Sequence, residues 1–276
     1  MATVALDRML SRERPAADRL SATANDNQVP HLAVANPMRG AIFDVANVLY
    51  DTTSQRRLLW RLVHHLGLQV GDADFYCPWE RNYLADVHCG RREFAEARHA
   101  FLLAWGLSWA QIDELEAAVH GGCDDSGPEL RSLPGAAKTL RALAQMKLEL
   151  VAWQDAACGS AELAARLEML GLRQCFHAVL SSLDVEAVQP SPACYQACLT
   201  SLKLPAAEVI YVGHDPDHLA GAKAAGLVTV TFNDRAPAEA DLHLTRLEDL
   251  LPWIHARAIA GVGEHCDPRG DGQSGL

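Results

Sequence analysis

The chain of 276 residues reads as an α/β protein: a Rossmann-like parallel sheet core with helices on both faces and an inserted small helical cap. Three observations predict this. Short apolar runs alternate with helix-length segments from Pro134 to His255. Such alternation makes βαβ units and a parallel sheet covered on both sides. A block of purely helical periodicity separates the first apolar run from the second, too long for one crossover. Hydrophobic residues make up 49% of the chain, enough to bury both a core and a cap.

The elements follow in order. Residues 1–37 are rich in Ala, Asp, Asn and Arg with Pro15, Pro30 and Pro37, and read as a disordered lead with at most one short helix. Gly40 to Phe43 is a buried strand ending at Asp44. Helical segments are expected at Ser54–Leu66, Ala73–Val87, Arg92–Trp105 and Trp109–His120, separated by Gly67, Gly71, Gly90, Gly106 and Gly121. This gives a cap over 52–129 and a core over 38–51 and 130–257. Within the core, Pro134-Gly135 opens a helix to Gln145. Strands are expected at 148–153, 177–182, 208–213 and 227–232. Helices are expected up to Leu170, over Pro192–Leu202, Leu219–Ala225 and Leu247–His255. The Gly-rich residues 258–276 read as a disordered tail.

Composition excludes several classes. A net charge of −11 disfavours nucleic acid, whose phosphates demand a basic surface. No apolar run approaches the ~18 residues of a membrane span. The N-terminus lacks an uninterrupted apolar stretch, and Asp7, Glu13 and Asp18 argue against a transit peptide, so a cytoplasmic protein is expected. The eight cysteines form no C-x-x-C pair and read as small buried hydrophobes rather than a zinc site. No G-x-G-x-x-G follows the first strand, against a dinucleotide-binding oxidoreductase.

In open parallel sheets, ligands bind beyond the carboxyl ends of the strands. The first strand ends in Phe43-Asp44-Val45-Ala46-Asn47-Val48-Leu49-Tyr50-Asp51. This resembles the first motif of the haloacid dehalogenase superfamily, D-x-D-G-T-L-x-D, and more closely its F-D-x-G-N-V-L-x-D variant. The downstream order is similar too: cap, Pro-Gly helix, a P-x-P-x-x-Y segment at 190–195, then Val212-Gly213 with nearby acids and GAKAAG at 221–226. The resemblance covers about residues 40–256 and points to the capped phosphatase and dehalogenase-like members, with several catalytic motifs altered.

The resemblance implies a small-molecule substrate, phosphorylated in the phosphatases, and Asp44 as a nucleophile that splits a hard hydrolysis into two steps. It implies Mg2+ beside that carboxylate. Four departures matter. The second acid of the first motif is Ala46. The Ser or Thr after the second strand is replaced within Trp153-Gln154, where Gln154 offers an amide donor and Trp153 either lines the pocket or packs. The Lys of G-x-x-K-P-x-P is Gln189. The acids of G-D-x-x-x-x-D become His214, with Asp215 and Asp217 displaced. Metal candidates are therefore Asp44, the Ala46 carbonyl, Asp215, Asp217 and His214. His214 and His218 with Asp44 or Asp215 would suit a softer ion such as zinc or manganese. Arg235 is the nearest candidate replacement cation, beside cap residues Arg56, Arg57, Arg91 and Arg92. Trp60, Tyr76, Trp79, Tyr83 and Trp105 are cap aromatics that either pack or meet substrate. Three functions remain: an atypical metal-dependent phosphatase, a family member that binds a ligand or partner without turnover and without metal, and a carbon–halogen hydrolase.

Overall fold

The computed structural model describes residues 36–122, 130–233 and 239–260. Its centre is one six-stranded sheet, every neighbouring pair parallel, in the order β3-β2-β1-β4-β5-β6. The strands are β1 (Gly40–Asp44), β2 (Glu149–Gln154), β3 (Ala178–Ser181), β4 (Val209–Gly213), β5 (Val228–Phe232) and β6 (Leu242–Leu244). The first five match the apolar runs. The short sixth was not expected from the sequence.

Between β1 and β2 lie α1 (Thr53–His65), α2 (Asp72–Trp79), a π-helical turn at Glu80–Leu84, α3 (Ala85–His88), α4 (Phe94–Ala104), α5 (Trp109–Gly122) and α6 (Ala136–Gln145). The expected single helix over Ala73–Val87 is thus three joined pieces. Pro78 sits inside α2, and a proline removes one backbone donor from the helical ladder. The wider turn follows directly, as such turns do where an ordinary helix is interrupted. Next come α7 (Ser160–Met169), α8 (Ser182–Val185), α9 (Pro192–Leu202), α10 (Pro216–Ala224) and α11 (Leu250–Ala260). The last helix runs past the expected end at His255. The lead up to residue 35 and the tail from residue 261 lie outside the described residues.

Strand alternation sorts the core. Ala41, Phe43, Leu150, Ala152, Ile210 and Val212 face one side, where Leu140 and Leu143 of α6, Leu163 and Leu167 of α7, and Leu250 and Ile254 of α11 cover them. Ile42, Val151, Trp153 and Tyr211 face the other, under Cys194, Tyr195 and Cys198 of α9 and Leu219 and Ala222 of α10. A third cluster belongs to the inserted helices: Val63, Phe75, Tyr76, Trp79, Phe101, Ile112 and Leu115. Of the cap aromatics, Tyr76 and Trp79 are buried in it, and Trp60, Tyr83 and Trp105 pack against it. Ser182 ties the inserted helices to the core. Its Oγ donates to the His88 carbonyl at 2.9 Å and accepts the Ala156 N–H at 2.9 Å.

Gly221 of α10 packs tightly. A Cβ there would stand 2.7 Å from Tyr195 Oη and 2.8 Å from Pro190 Cβ. That closeness lets Tyr195 Oη donate to the His218 carbonyl at 2.7 Å, holding the first turn of α10. Gly221→Ala should therefore lower stability by about 1–3 kcal/mol through overpacking. Urea denaturation checks this, and an unchanged midpoint would show that Tyr195 and Pro190 give way freely.

Candidate functional site

The sheet order reverses at β1, which leads to β2 on one side and has β4 on the other. That switch point places the last residue of β1 and the first residues after β4 at one crevice. Asp44 ends β1, level with Trp153 of β2. It is 4% exposed, and so buried a carboxylate needs partners. Two imidazoles face it. His218 Nδ1 is 3.7 Å and His214 Nδ1 3.9 Å from Asp44 Oδ2. These are ion-pair separations rather than hydrogen bonds, and neither buried Nδ1 has another partner.

Each imidazole is set by its backbone. His214 directly follows β4. Asp215 is the N-cap of α10, its Oδ1 accepting the N–H groups of Asp217 at 2.8 Å and His218 at 3.2 Å. This is ordinary capping chemistry, and it turns His218 towards β1. Asn47 holds His214 from the other side. It adopts a left-handed backbone with φ 58°, which Asn tolerates. Its Oδ1 accepts the Thr52 N–H at 3.3 Å and Oγ–H at 2.7 Å, and its Nδ2 lies 3.4 Å from His214 Nε2.

Burial works to lower the His218 pKa, but the Asp44 carboxylate outweighs it, and with Asp215 and Asp155 it brings the ring up to about 9. His218 is therefore a cation at neutral pH. Asp155, just past β2, goes the other way. Burial pushes its carboxyl up to about 7, with the charge of Asp44 adding to the rise and that of His218 opposing it. Its oxygens accept the Gln189 N–H at 3.0 Å and the Trp153 indole N–H at 3.2 Å.

The structure separates the expected site residues into groups. Asp44 and His214 come together. Gln154 and Gln189 are buried, and each amide is already engaged. Tyr50 Oη donates to Gln154 Oε1 at 3.0 Å, and Gln189 Nε2 donates to Tyr211 Oη at 2.8 Å. Gln189 Oε1 is left without a partner. Trp153, expected either to line the pocket or to pack, is fully buried. Its strand parity sends it into the second core cluster, so it packs. Asp215 caps a helix, Asp217 is exposed, and Ala46, in the turn after β1, offers its backbone carbonyl but a methyl where a second carboxylate would stand. Arg235 lies outside the described residues, as do the side chains of Arg56 and Arg57. Arg91 pairs with Asp86 and Arg92 with Glu96. Asp155 and His218 complete the constellation. An acid at a strand's carboxyl end was the available signal for the first. The four-residue spacing from His214 was the signal for the second.

Magnesium takes hard oxygen ligands in near-octahedral geometry. Here Asp44 and the Ala46 carbonyl remain, but the further carboxylates that would complete the set are replaced by a methyl at Ala46, an imidazole at His214 and a helix cap at Asp215. Among the described residues, no three His, Cys, Asp or Glu side chains are arranged to hold a metal ion. The donor set does not fit magnesium.

Residues 38–226 match the family model of haloacid dehalogenase-like hydrolases. Among solved structures, an L-2-haloacid dehalogenase is 20% identical with a TM-score of 0.60, over 80% of this chain and 100% of its own. A protein of the same superfamily from Bacillus subtilis, bound to magnesium, is 18% identical with a TM-score of 0.57, over 79% and 99%. A phosphatase of the superfamily from Thermococcus onnurineus is 21% identical with a TM-score of 0.50, over 79% and 98%. Identities this low establish a shared fold alone. No curated protein sequence matches the chain.

Proposed function

The chain belongs to the haloacid dehalogenase-like hydrolases, and we propose that within them it hydrolyses an organic halide through Asp44, rather than a phosphomonoester. One observation carries this reading. Among the described residues, the ion-pair partners of Asp44 are two imidazoles, with no ammonium or guanidinium group. A phosphate dianion entering here would meet the Asp44 carboxylate with the single charge of the His218 imidazolium beside it, and without a lysine or a fitting metal site. At about 4 Å each unit of like charge costs roughly 1 kcal/mol in water and 4 kcal/mol near a protein surface. Losing even one transition-state donor commonly slows a reaction about 100- to 1000-fold. A haloalkane brings no such repulsion, and a haloacid only the single charge of its carboxylate.

The chemistry has two steps. An Asp44 oxygen forms a bond to the carbon, and the carbon–halogen bond breaks with its electron pair leaving on the halide. Water then attacks the carboxyl carbon of the resulting ester. The acyl–oxygen bond breaks, the alcohol departs, and the proton released by water passes to a neighbouring imidazole. Esterified Asp44 no longer carries the charge that raises the His218 pKa, so that ring is readier to release its own proton first and then accept this one. Ala46 is no obstacle, because this route does not require a second acid in the turn.

Excess enzyme in 18O-water with a panel of short haloacids and haloalkanes tests the proposal. One turnover should place a single 18O in the peptide containing Asp44, and mass spectrometry reads the shift. Turnover of an aryl phosphate instead, lost in Asp44→Asn, would sink it. A second reading, ligand binding without turnover, draws on the engaged Gln154 and Gln189 amides. It predicts saturable binding with no label. Since no helix of the described residues is long and apolar enough to cross a membrane and Cys77, Cys89, Cys158, Cys175, Cys194 and Cys198 are free thiols, a reducing, cytoplasmic setting suits either reading.

A further inference from the structure

The metal mismatch has a specific cause in the hydrogen-bond network around His214. The Asn47 amide orientation is fixed, because Thr52 uses its Oδ1 through both N–H and Oγ–H. Nδ2 therefore faces His214 Nε2 at 3.4 Å. An amide NH2 only donates, so Nε2 is the acceptor and the neutral ring carries its proton on Nδ1. That nitrogen points at Asp44. A protonated nitrogen has no lone pair for an ion. His218 Nδ1 approaches the same oxygen, Oδ2, from the first turn of α10. An ion about 2.1 Å from Oδ2 on this side would stand against both rings. Asp215, the acid nearest in sequence, spends its Oδ1 on the α10 cap instead.

We propose that His214 and His218 take the place of the metal ion in this chain: their ring N–H groups face Asp44 Oδ2, supply the positive field there, and keep divalent cations out. This role of the two imidazoles does not depend on whether Asp44 turns over an organic halide.

Manganese binding by the full-length protein tests it, read by electron paramagnetic resonance and titration calorimetry. Wild type should leave the Mn2+ signal free at millimolar metal. The triple variant A46D/H214D/H218N restores two acids and removes the second ring. It should bind one Mn2+, with affinity roughly tenfold or more above wild type, the scale on which changes around a metal site act. Stoichiometric Mn2+ binding by wild type, lost in Asp44→Asn, would overturn the proposal. So would a triple variant that melts cooperatively yet binds nothing. A second measurement needs no variant. In 15N correlation spectra of the wild type with His214 in its neutral form, Nε2 should be the bare nitrogen and Nδ1 the protonated one, unchanged by added Mg2+. A His214 with its proton on Nε2, or one that shifts with Mg2+, overturns the proposal as well.

Discussion

In Asp44→Asn, the His218 midpoint should fall from about 9 to 6.5 or below, and any turnover should drop roughly a thousandfold or more, as when a nucleophile is removed. The first effect follows from opposed causes. Burial is the largest influence on this ring and lowers its pKa. The Asp44 carboxylate is what overcomes it. An amide of the same shape keeps the burial and removes the charge, leaving only Asp215 and Asp155 in favour of the cation. A change of two pH units or more is the size expected when a buried ring loses its opposite charge. Proton NMR titration of His218 measures it without any substrate. A midpoint that stays near 9 would mean that another anion holds the ring, and the pairing described above would be wrong. Loss of turnover with an unchanged His218 would separate a nucleophile role from the electrostatic one.

Much of this arrangement is legible in the sequence, and what is not has physical reasons. Asp44 and His214 could be read because each lies at the end of a strongly apolar run, and a parallel sheet brings such ends to one edge. β6 escaped because three residues with His243 in the middle carry no usable periodicity. The positions of Gln154 and Gln189 were legible, but their partners were not. Tyr50 and Tyr211 stand 104 and 22 residues away in sequence, and only tertiary packing brings them in. Trp153 could not be assigned from its strand because both faces of this sheet are covered, so alternation does not separate a core side chain from a pocket wall. Asp155 was passed over because its role depends on burial, which a single sequence does not state.

The His218–Asp44 pair should also make the protein lose stability as pH rises from 6.5 to 9. The folded pKa of His218 is raised above its ordinary 6.5, so the native state holds a proton that the unfolded chain releases. The stabilisation is fully present below 6.5 and is lost as pH climbs through 9. A slope of about 1.4 kcal/mol per pH unit integrates over this window to roughly 3 kcal/mol, to order of magnitude. On the acid side of this window other groups titrate as well. Asp155, raised to about 7, stabilises below 3.8 and loses that contribution as pH rises through 7. His88, lowered to about 4 by burial, does the reverse, its contribution present above 6.5 and lost as pH falls through 4. The two oppose each other between about 4 and 6.5. Above pH 9 the buried thiols and phenols begin to matter, since Cys194 is pushed up to about 12 by burial. Between 6.5 and 9, the limb belongs mainly to His218, with the end of the Asp155 titration at its foot. Urea unfolding at fixed ionic strength should show the descent in wild type and a nearly flat profile above pH 7 in Asp44→Asn, because the amide leaves only Asp215 and Asp155 to oppose the burial of the His218 cation. Parallel descents in the two proteins would place the linked proton elsewhere and separate the alkaline loss of stability from the candidate site.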